Sequence, residues 1–214
     1  KMVTILLSII IGYIFGSIPS GLVLVKMACG IDIREYGSKN IGTTNVFRTV
    51  GGRMASIVLI ADVVKGILAV LLVRYLFDSN LHMELLTAIA ALLGHNYSLF
   101  LGFKGGRGVA TGLGLILLFM PDVCIFSFTV WFVIVFVTRY VSLGSIVGAF
   151  ITPIVAYYRG YPLELVLFAL AACVFVIVRH YENMKRLIAG TESKIKQGSL
   201  DNVKKDSKKL KVSN

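Results

Sequence analysis

A chain of 214 residues is long enough for one domain or two, but composition decides its class first. Hydrophobic residues make up 57% and charged residues 15%, against roughly 45–50% and 25% in soluble domains, so a soluble fold is excluded and an all-α integral membrane protein is expected. Lys and Arg number 22 against 11 Asp and Glu, a net charge of +11; in so apolar a chain the excess reads as basic cytoplasmic loops beside anionic lipid, not as a nucleic-acid surface.

Apolar runs fall at 3–25, 55–77, 85–101, 109–120, 123–138, 141–158 and 163–178. A hydrocarbon core about 30 Å thick needs roughly 20 residues, so the first two runs suffice alone and the others borrow flanking residues. The first run lacks a small-residue cleavage site and leads into further spans, so it reads as a span and not a leader. Within it, Gly12, Gly16 and Gly21 suggest close helix packing and Pro19 a bend. Asp62 and Lys65, three apart on one face of the second run, read as a buried structural pair. Pro121 and Asp122 interrupt what could otherwise be one run, and charge parity decides the point. Seven spans with the N-terminus outside put Lys26, Arg34, Lys39, Arg48, Arg53, Lys104, Arg107, Arg139, Arg179 and the basic tail on one side. The other side keeps only Lys1, Arg74 and Arg159, with four acids. Fusing the two runs would set the tail opposite the first loop, against the positive-inside tendency. The sequence therefore predicts seven transmembrane helices, N-terminus outside and C-terminus cytoplasmic. Residues 1–192 form the membrane domain, and 193–214 a Lys-rich tail, solvated and disordered. Cys29, Cys124 and Cys173 form no ligand pattern, so neither metal nor disulfide is expected.

Polar and glycine-rich stretches gather on the cytoplasmic side: EYGSKNIGTTNVFR at 35–48, GHNYSLFLGFKGGRGVAT at 94–111, RHYENMKRLIAGTE at 179–192, and the shorter RYVSLGS at 139–145. Any one could be an ordinary loop; all on one face point to a site. In Lys104, Gly105, Gly106, Arg107 and Gly108, adjacent glycines let backbone N–H groups converge on an anion, and the next helix adds its positive end. Arginine can clamp phosphate in bidentate fashion, although the Walker A spacing is absent and a flexible turn explains this loop equally well. In the first segment Gly37, Ser38, Asn40, Gly42, Thr43, Thr44 and Asn45 crowd beside Lys39 and Arg48, which suits a phosphorylated or polyhydroxy ligand; helix capping accounts for one of them. His180 stands among Arg179, Glu182, Asn183 and Arg186, with Glu182 and Arg186 spaced for an i, i+4 pair. No His is followed five positions later by Asp, the pair used by many glycerolipid acyltransferases.

In this order, GSIPSG at 16–21, GSKNIGTTNVFR at 37–48, DVVKG at 62–66 and the segments at 94–111, 139–145 and 179–192 resemble the bacterial membrane glycerol-3-phosphate acyltransferases that use acyl phosphate. Each piece is common; the ordered set, covering nearly everything but the tail, is specific. The resemblance implies transfer of a fatty acyl group from acyl phosphate to the sn-1 hydroxyl of sn-glycerol 3-phosphate. The products would be lysophosphatidic acid and phosphate, the first step of phospholipid synthesis. It also implies a monomer in the bacterial inner membrane, a cytoplasmic-face site, and neither cofactor nor metal. Carried over residue by residue, the catalytic set is Ser38, Arg48, Arg107, Ser145, His180 and Asn183. The substrate-binding set is Gly37, Asn40, Thr43, Asn45, Lys104, Gly105, Gly106, Gly108 and Ser142. Arg107 stands where the family usually has Lys, and Ser98 where Pro is common. An acyl phosphate is already an activated mixed anhydride, so direct transfer without an acyl-enzyme is expected, the proton going to His180 or to a substrate phosphate oxygen. The rival from another class is a transporter or flippase for a phosphorylated metabolite. Against it, the polar groups gather at one face and no repeated halves are seen.

Overall fold

The computed structural model describes residues 2–200, and every regular element in that range is helical. The first apolar run is two helices, α1 (Met2–Ser17) and α2 (Ser20–Cys29), separated at Ile18 and Pro19. A short α3 (Thr43–Thr49) precedes α4 (Gly52–Leu76) and α5 (Leu81–Asn96). Then come α6 (Val109–Phe119), α7 (Pro121–Thr138), α8 (Val141–Tyr158), α9 (Leu163–Arg179) and α10 (Tyr181–Ile188). Local chemistry sets the boundaries. The Asn80 side chain accepts from the Met83 N–H at 3.0 Å to cap α5. Pro121 occupies the opening turn of α7, where its missing N–H costs nothing, and Gly30 in the left-handed region closes α2.

Met2–Cys29, Gly52–Leu76, Leu81–Leu101, Pro121–Thr138 and Val141–Tyr158 are each long and apolar enough to cross a membrane. The pair α9 and α10 makes a sixth if its 59° bend is taken as part of one span. The chain is thus a multi-pass helical membrane protein, with large apolar side chains such as Phe136, Val137 and Leu163 exposed around it. The fourth expected span is the short one. Helix α6 has 11 residues, about 16 Å of rise, roughly half the hydrocarbon thickness. The loop before it explains this. The Gly105 N–H donates to the Asn96 carbonyl at 3.1 Å and the Gly106 N–H to the His95 carbonyl at 2.9 Å. The chain therefore doubles back along the end of α5, and α6 starts already inside the bundle.

Packing relies on small residues. Gly12 faces Thr87 and Ala90, Gly16 faces Ala91, and Gly94 faces Tyr13 and Ser17, none with room for a Cβ, so α1 and α5 run parallel at close range. Val70, Leu92, Leu115, Met120, Ala156 and Phe168 form a core joining α4, α5, α6, α8 and α9. The expected structural pair is present: Lys65 Nζ lies 2.8 Å from Asp62 Oδ1, both residues are buried, and the ammonium also donates to the Ile18 carbonyl at 2.8 Å. At the end where α4 turns into α5 and α8 into α9, cations meet acids. Arg74 pairs with Glu84 at 2.6 Å and Arg159 with Asp122 at 2.8 Å. The opposite end collects the segments around 30–51, 97–108, 139–140 and 180–198, and there cations are left over.

Candidate active site

The first polar segment is folded by one buried side chain. Asn45 donates to the carbonyls of Ile33, Tyr36 and Asn40 at 3.2, 3.0 and 2.8 Å, and its Oδ1 accepts from the Ser38 N–H at 2.8 Å. Every hydrogen-bonding group of Asn45 is thus committed to the backbone rather than left for a ligand. Gly37, at φ 57, lies against Asn45 Oδ1 with no room for a Cβ. Together they place Ser38, Asn40 and Thr43 on a cavity wall, where the buried Thr43 hydroxyl has no protein partner.

Two cavities meet here, of about 480 Å³ and about 450 Å³, and they share Ser38, Asn40, Arg48, Arg107 and Glu192. The first takes in Ser142, Ser145 and His180 at its polar end and continues past Ile116, Cys124, Phe128, Trp131 and Ala169 between the helices. The second is polar, with Arg179, Glu182, Asn183, Arg186 and Ser193 in its walls. Of the expected site residues, only Gly37, Lys104, Gly105 and Gly106 line neither; Lys104 is exposed.

The glycine loop works differently from an open anion cradle. The amides of Gly105 and Gly106 are bonded internally, and their carbonyls accept from Arg179 Nη2 and Nε at 3.2 and 3.1 Å. What the loop presents to the first cavity is Arg107, Gly108 (φ 81) and the first turn of α6 at Val109 and Ala110, where helical N–H groups lack intrahelical partners. Ser98, one of the two departures from the family pattern, fastens the loop: its hydroxyl donates to the Ser17 carbonyl at 2.5 Å.

The two expected arginines converge. Arg48 Nη2 donates to the Ser193 carbonyl at 2.6 Å, while its buried Nε has no partner. Arg107 is half-buried and makes no hydrogen bond or ion pair among the described residues. Burial holds both guanidinium pKa values below the ordinary one; the Glu192 charge opposes this, and the nearby Arg186 reinforces it. Cations so placed are complementary to an incoming anion.

His180 sits at the bend between α9 and α10, 2% exposed, with Nδ1 2.8 Å from the Val176 carbonyl. That contact assigns the proton to Nδ1 and leaves a lone pair on Nε2. The Ser145 hydroxyl donates to the Val141 carbonyl at 2.9 Å and accepts from Trp131 Nε1 at 3.3 Å.

Sequence reasoning missed Glu192. Its Oε1 accepts from Ser142 Oγ at 2.8 Å and Asn183 Nδ2 at 2.7 Å, and its Oε2 from Arg186 Nε at 2.7 Å. Burial alone would raise its pKa, but hydrogen bonds from Asn183, Arg186 and Ser142 hold it below the usual carboxylate value. Arg186 is therefore engaged by Glu192, and Glu182 pairs instead with Lys185 at 3.2 Å. The one signal in the sequence was a lone acid in a basic stretch, two residues after Gly190, which turns the chain at φ 68. Residues expected to begin a solvated tail also lie here: the Ile195 N–H donates to the Arg139 carbonyl at 2.7 Å and the Gly198 N–H to the Phe47 carbonyl at 3.0 Å. The rest of that tail, 201–214, falls outside the described residues.

A cation without a partner among the described residues, Arg107, beside Arg48 at the mouth of an apolar slot suits an amphiphile with an anionic head. Comparison with known proteins points the same way. The family model described as glycerol-3-phosphate acyltransferase matches residues 6–190. A glycerol-3-phosphate acyltransferase of Bacillus velezensis is 46% identical, over 89% of this chain and 97% of its own. One from Nostoc sp. is 44% identical, over 88% of this chain and 91% of its own. A crystal structure of PlsY, an integral membrane glycerol 3-phosphate acyltransferase, in its glycerol 3-phosphate form, is 38% identical with a TM-score of 0.83, covering 90% of this chain and 96% of that one. Its lysophosphatidic acid form gives 0.82, with 38% identity over 89% and 94%. With the family match spanning most of its length and its fold shared with PlsY, this chain belongs to the glycerol-3-phosphate acyltransferase family.

Proposed function

We infer that this chain transfers a fatty acyl group from acyl phosphate to the sn-1 hydroxyl of sn-glycerol 3-phosphate, releasing 1-acyl-sn-glycerol 3-phosphate and inorganic phosphate. The observation that carries the reading is the common wall of the two cavities. Arg48 and Arg107 stand where a polar cavity meets an apolar one, so two phosphates and one acyl chain could share a site. Relatives crystallised in glycerol 3-phosphate and lysophosphatidic acid forms support the acceptor and the product.

In this scheme the acceptor lies in the polar cavity, its phosphate against Arg48, and Ser38 or Asn183 orients its hydroxyls. The donor chain occupies the slot past Phe128 and Trp131, its phosphate against Arg107 and the first amides of α6. The sn-1 oxygen attacks the acyl carbon, the carbon–oxygen bond to phosphate breaks, and the electron pair leaves with phosphate. The hydroxyl proton goes to a departing phosphate oxygen or to Nε2 of His180. Because the donor carries its own leaving group, a covalent enzyme intermediate would gain nothing.

We place the site at the cytoplasmic face of the bacterial inner membrane, in a monomer with seven crossings, the N-terminus outside and residues 193–214 inside. Two features support this. Among the described residues, the Lys and Arg left unpaired by acids lie at the site end, as the positive-inside tendency favours. Short α6 is followed by Met120, which clusters with Leu85, Ala156 and Leu165 from the far turns, and this supports counting the loop sunk into the bundle and the half-length helix as one crossing.

The test uses purified protein in detergent with labelled acyl phosphate or acyl-CoA and glycerol 3-phosphate. Lysophosphatidate should form from acyl phosphate alone, and comparable rates with acyl-CoA would remove the donor assignment. With the acceptor omitted, no stoichiometric phosphate burst and no acylated Ser or Cys should appear; finding both would overturn direct transfer.

A further inference from the structure

Beyond Glu192 the chain runs across the site rather than away from it. The Ser193 carbonyl takes the Arg48 hydrogen bond, and Ile195 and Gly198 are tied through their N–H groups to Arg139 and Phe47. Gly198 is seated so closely on the Arg48 and Thr49 backbone that it has no room for a Cβ, and the Ile195 side chain closes part of the first cavity. Ser193, Ile195 and Gly198 lie beyond 6–190, the span matched by the family model.

We propose that residues 193–198 are a strap that positions Arg48 for the acceptor phosphate. A free arginine side chain has many rotamers, and ordering it on binding subtracts from affinity. Tying Nη2 to a carbonyl fixes the guanidinium beforehand and leaves its remaining N–H groups, the unpartnered Nε among them, for an anion. The strap holds both the side chain, at Ser193, and the backbone of the helix that carries it, at Gly198 against Phe47 and Arg48. Lost pre-ordering should therefore weaken acceptor binding more than turnover.

The inference rests on glycerol 3-phosphate being the acceptor. In the full-length protein, Gly198→Val would force the strap off the Arg48 carbonyl, and Ile195→Pro would delete the donor to Arg139. Each should raise KM for glycerol 3-phosphate at least fivefold, with kcat within twofold and the melting temperature close to that of the unaltered protein. Lys196→Ala, at an exposed position, should leave KM unchanged. Combined with Arg48→Ala, the strap changes should add no further loss, because they act through that side chain. Unchanged KM, or effects that simply add to Arg48→Ala, would overturn the strap. If Gly198→Val fails to accumulate, Ile195→Pro decides alone. Should the unaltered protein make no lysophosphatidate, the acceptor reading fails by itself. Binding of inorganic phosphate then decides: its Kd should rise by a similar factor in both strap variants, and a constant Kd overturns the strap.

Discussion

Replacing Arg107 with Ala should separate activity from stability. The side chain is half-buried, has no hydrogen-bond or ion-pair partner among the described residues, and lies near Arg48, Arg179 and Arg186. Removing it breaks no hydrogen bond or ion pair among the described residues and exchanges repulsion from the arginines against attraction to Glu192, so the melting temperature should stay close to that of the unaltered protein. Its role in the proposed reaction is to clamp a phosphate. A hydrogen bond to a charged group contributes about 1.5–3 kcal/mol, and two that share one phosphate are less than additive, so losing a bidentate pair should cost about 3–4 kcal/mol. At about 1.4 kcal/mol per tenfold, kcat/KM should fall by roughly 10²–10³. Arg107→Lys keeps the charge but not the fork, and should recover most of that loss. The assay is lysophosphatidate formation across both substrate concentrations, alongside thermal unfolding in the same detergent. A kcat/KM for Arg107→Ala within threefold of the unaltered protein would reduce the residue to a topology-setting charge. A marked drop in melting temperature would show that it has a structural partner after all.

Glu192→Gln should destabilise the protein at neutral pH, because it removes the charge held by Asn183, Arg186 and Ser142. The Glu192 pKa is lowered by folding, so its stabilisation is present above the ordinary carboxylate pKa and is lost as pH falls through the lower folded value. Melting curves of the two proteins should therefore converge in acid, and a gap that persists or widens there would refute the assignment. Gly16→Val would drive a branched side chain into the Ala91 backbone, parting α1 from α5; the variant should fail to accumulate in membranes, and normal yield with an unchanged melting temperature would contradict the packing.

The sequence was most legible where one residue type has one physical use. Apolar runs located the helices, and glycines at helical spacing marked the tight contact between α1 and α5. Asp62 and Lys65, too costly to leave alone in an apolar span, found each other at 2.8 Å. Convergence of the polar segments followed from sidedness alone. Function within those segments was less legible, because spacing does not reveal which way a polar group points. Asn45 and the amides of Gly105 and Gly106 have the right chemistry for a ligand yet bond to their own backbone. Arg186 has an acid four residues back but bonds to Glu192, six residues ahead, after a turn. Likewise the short α6 arises from a loop folding inward, which hydropathy does not register.

In the proposed reaction, the shared wall between a polar and an apolar cavity would join a ligand drawn from water to one drawn from lipid. A ligand arriving from water is counted in moles per litre; one arriving sideways between helices is counted as a mole fraction of the surrounding lipid. A reaction joining them obeys two concentration scales at once. Adding inert detergent or lipid at fixed total donor dilutes only the second ligand, so the rate would fall with surface dilution while half-saturation by the first stays constant.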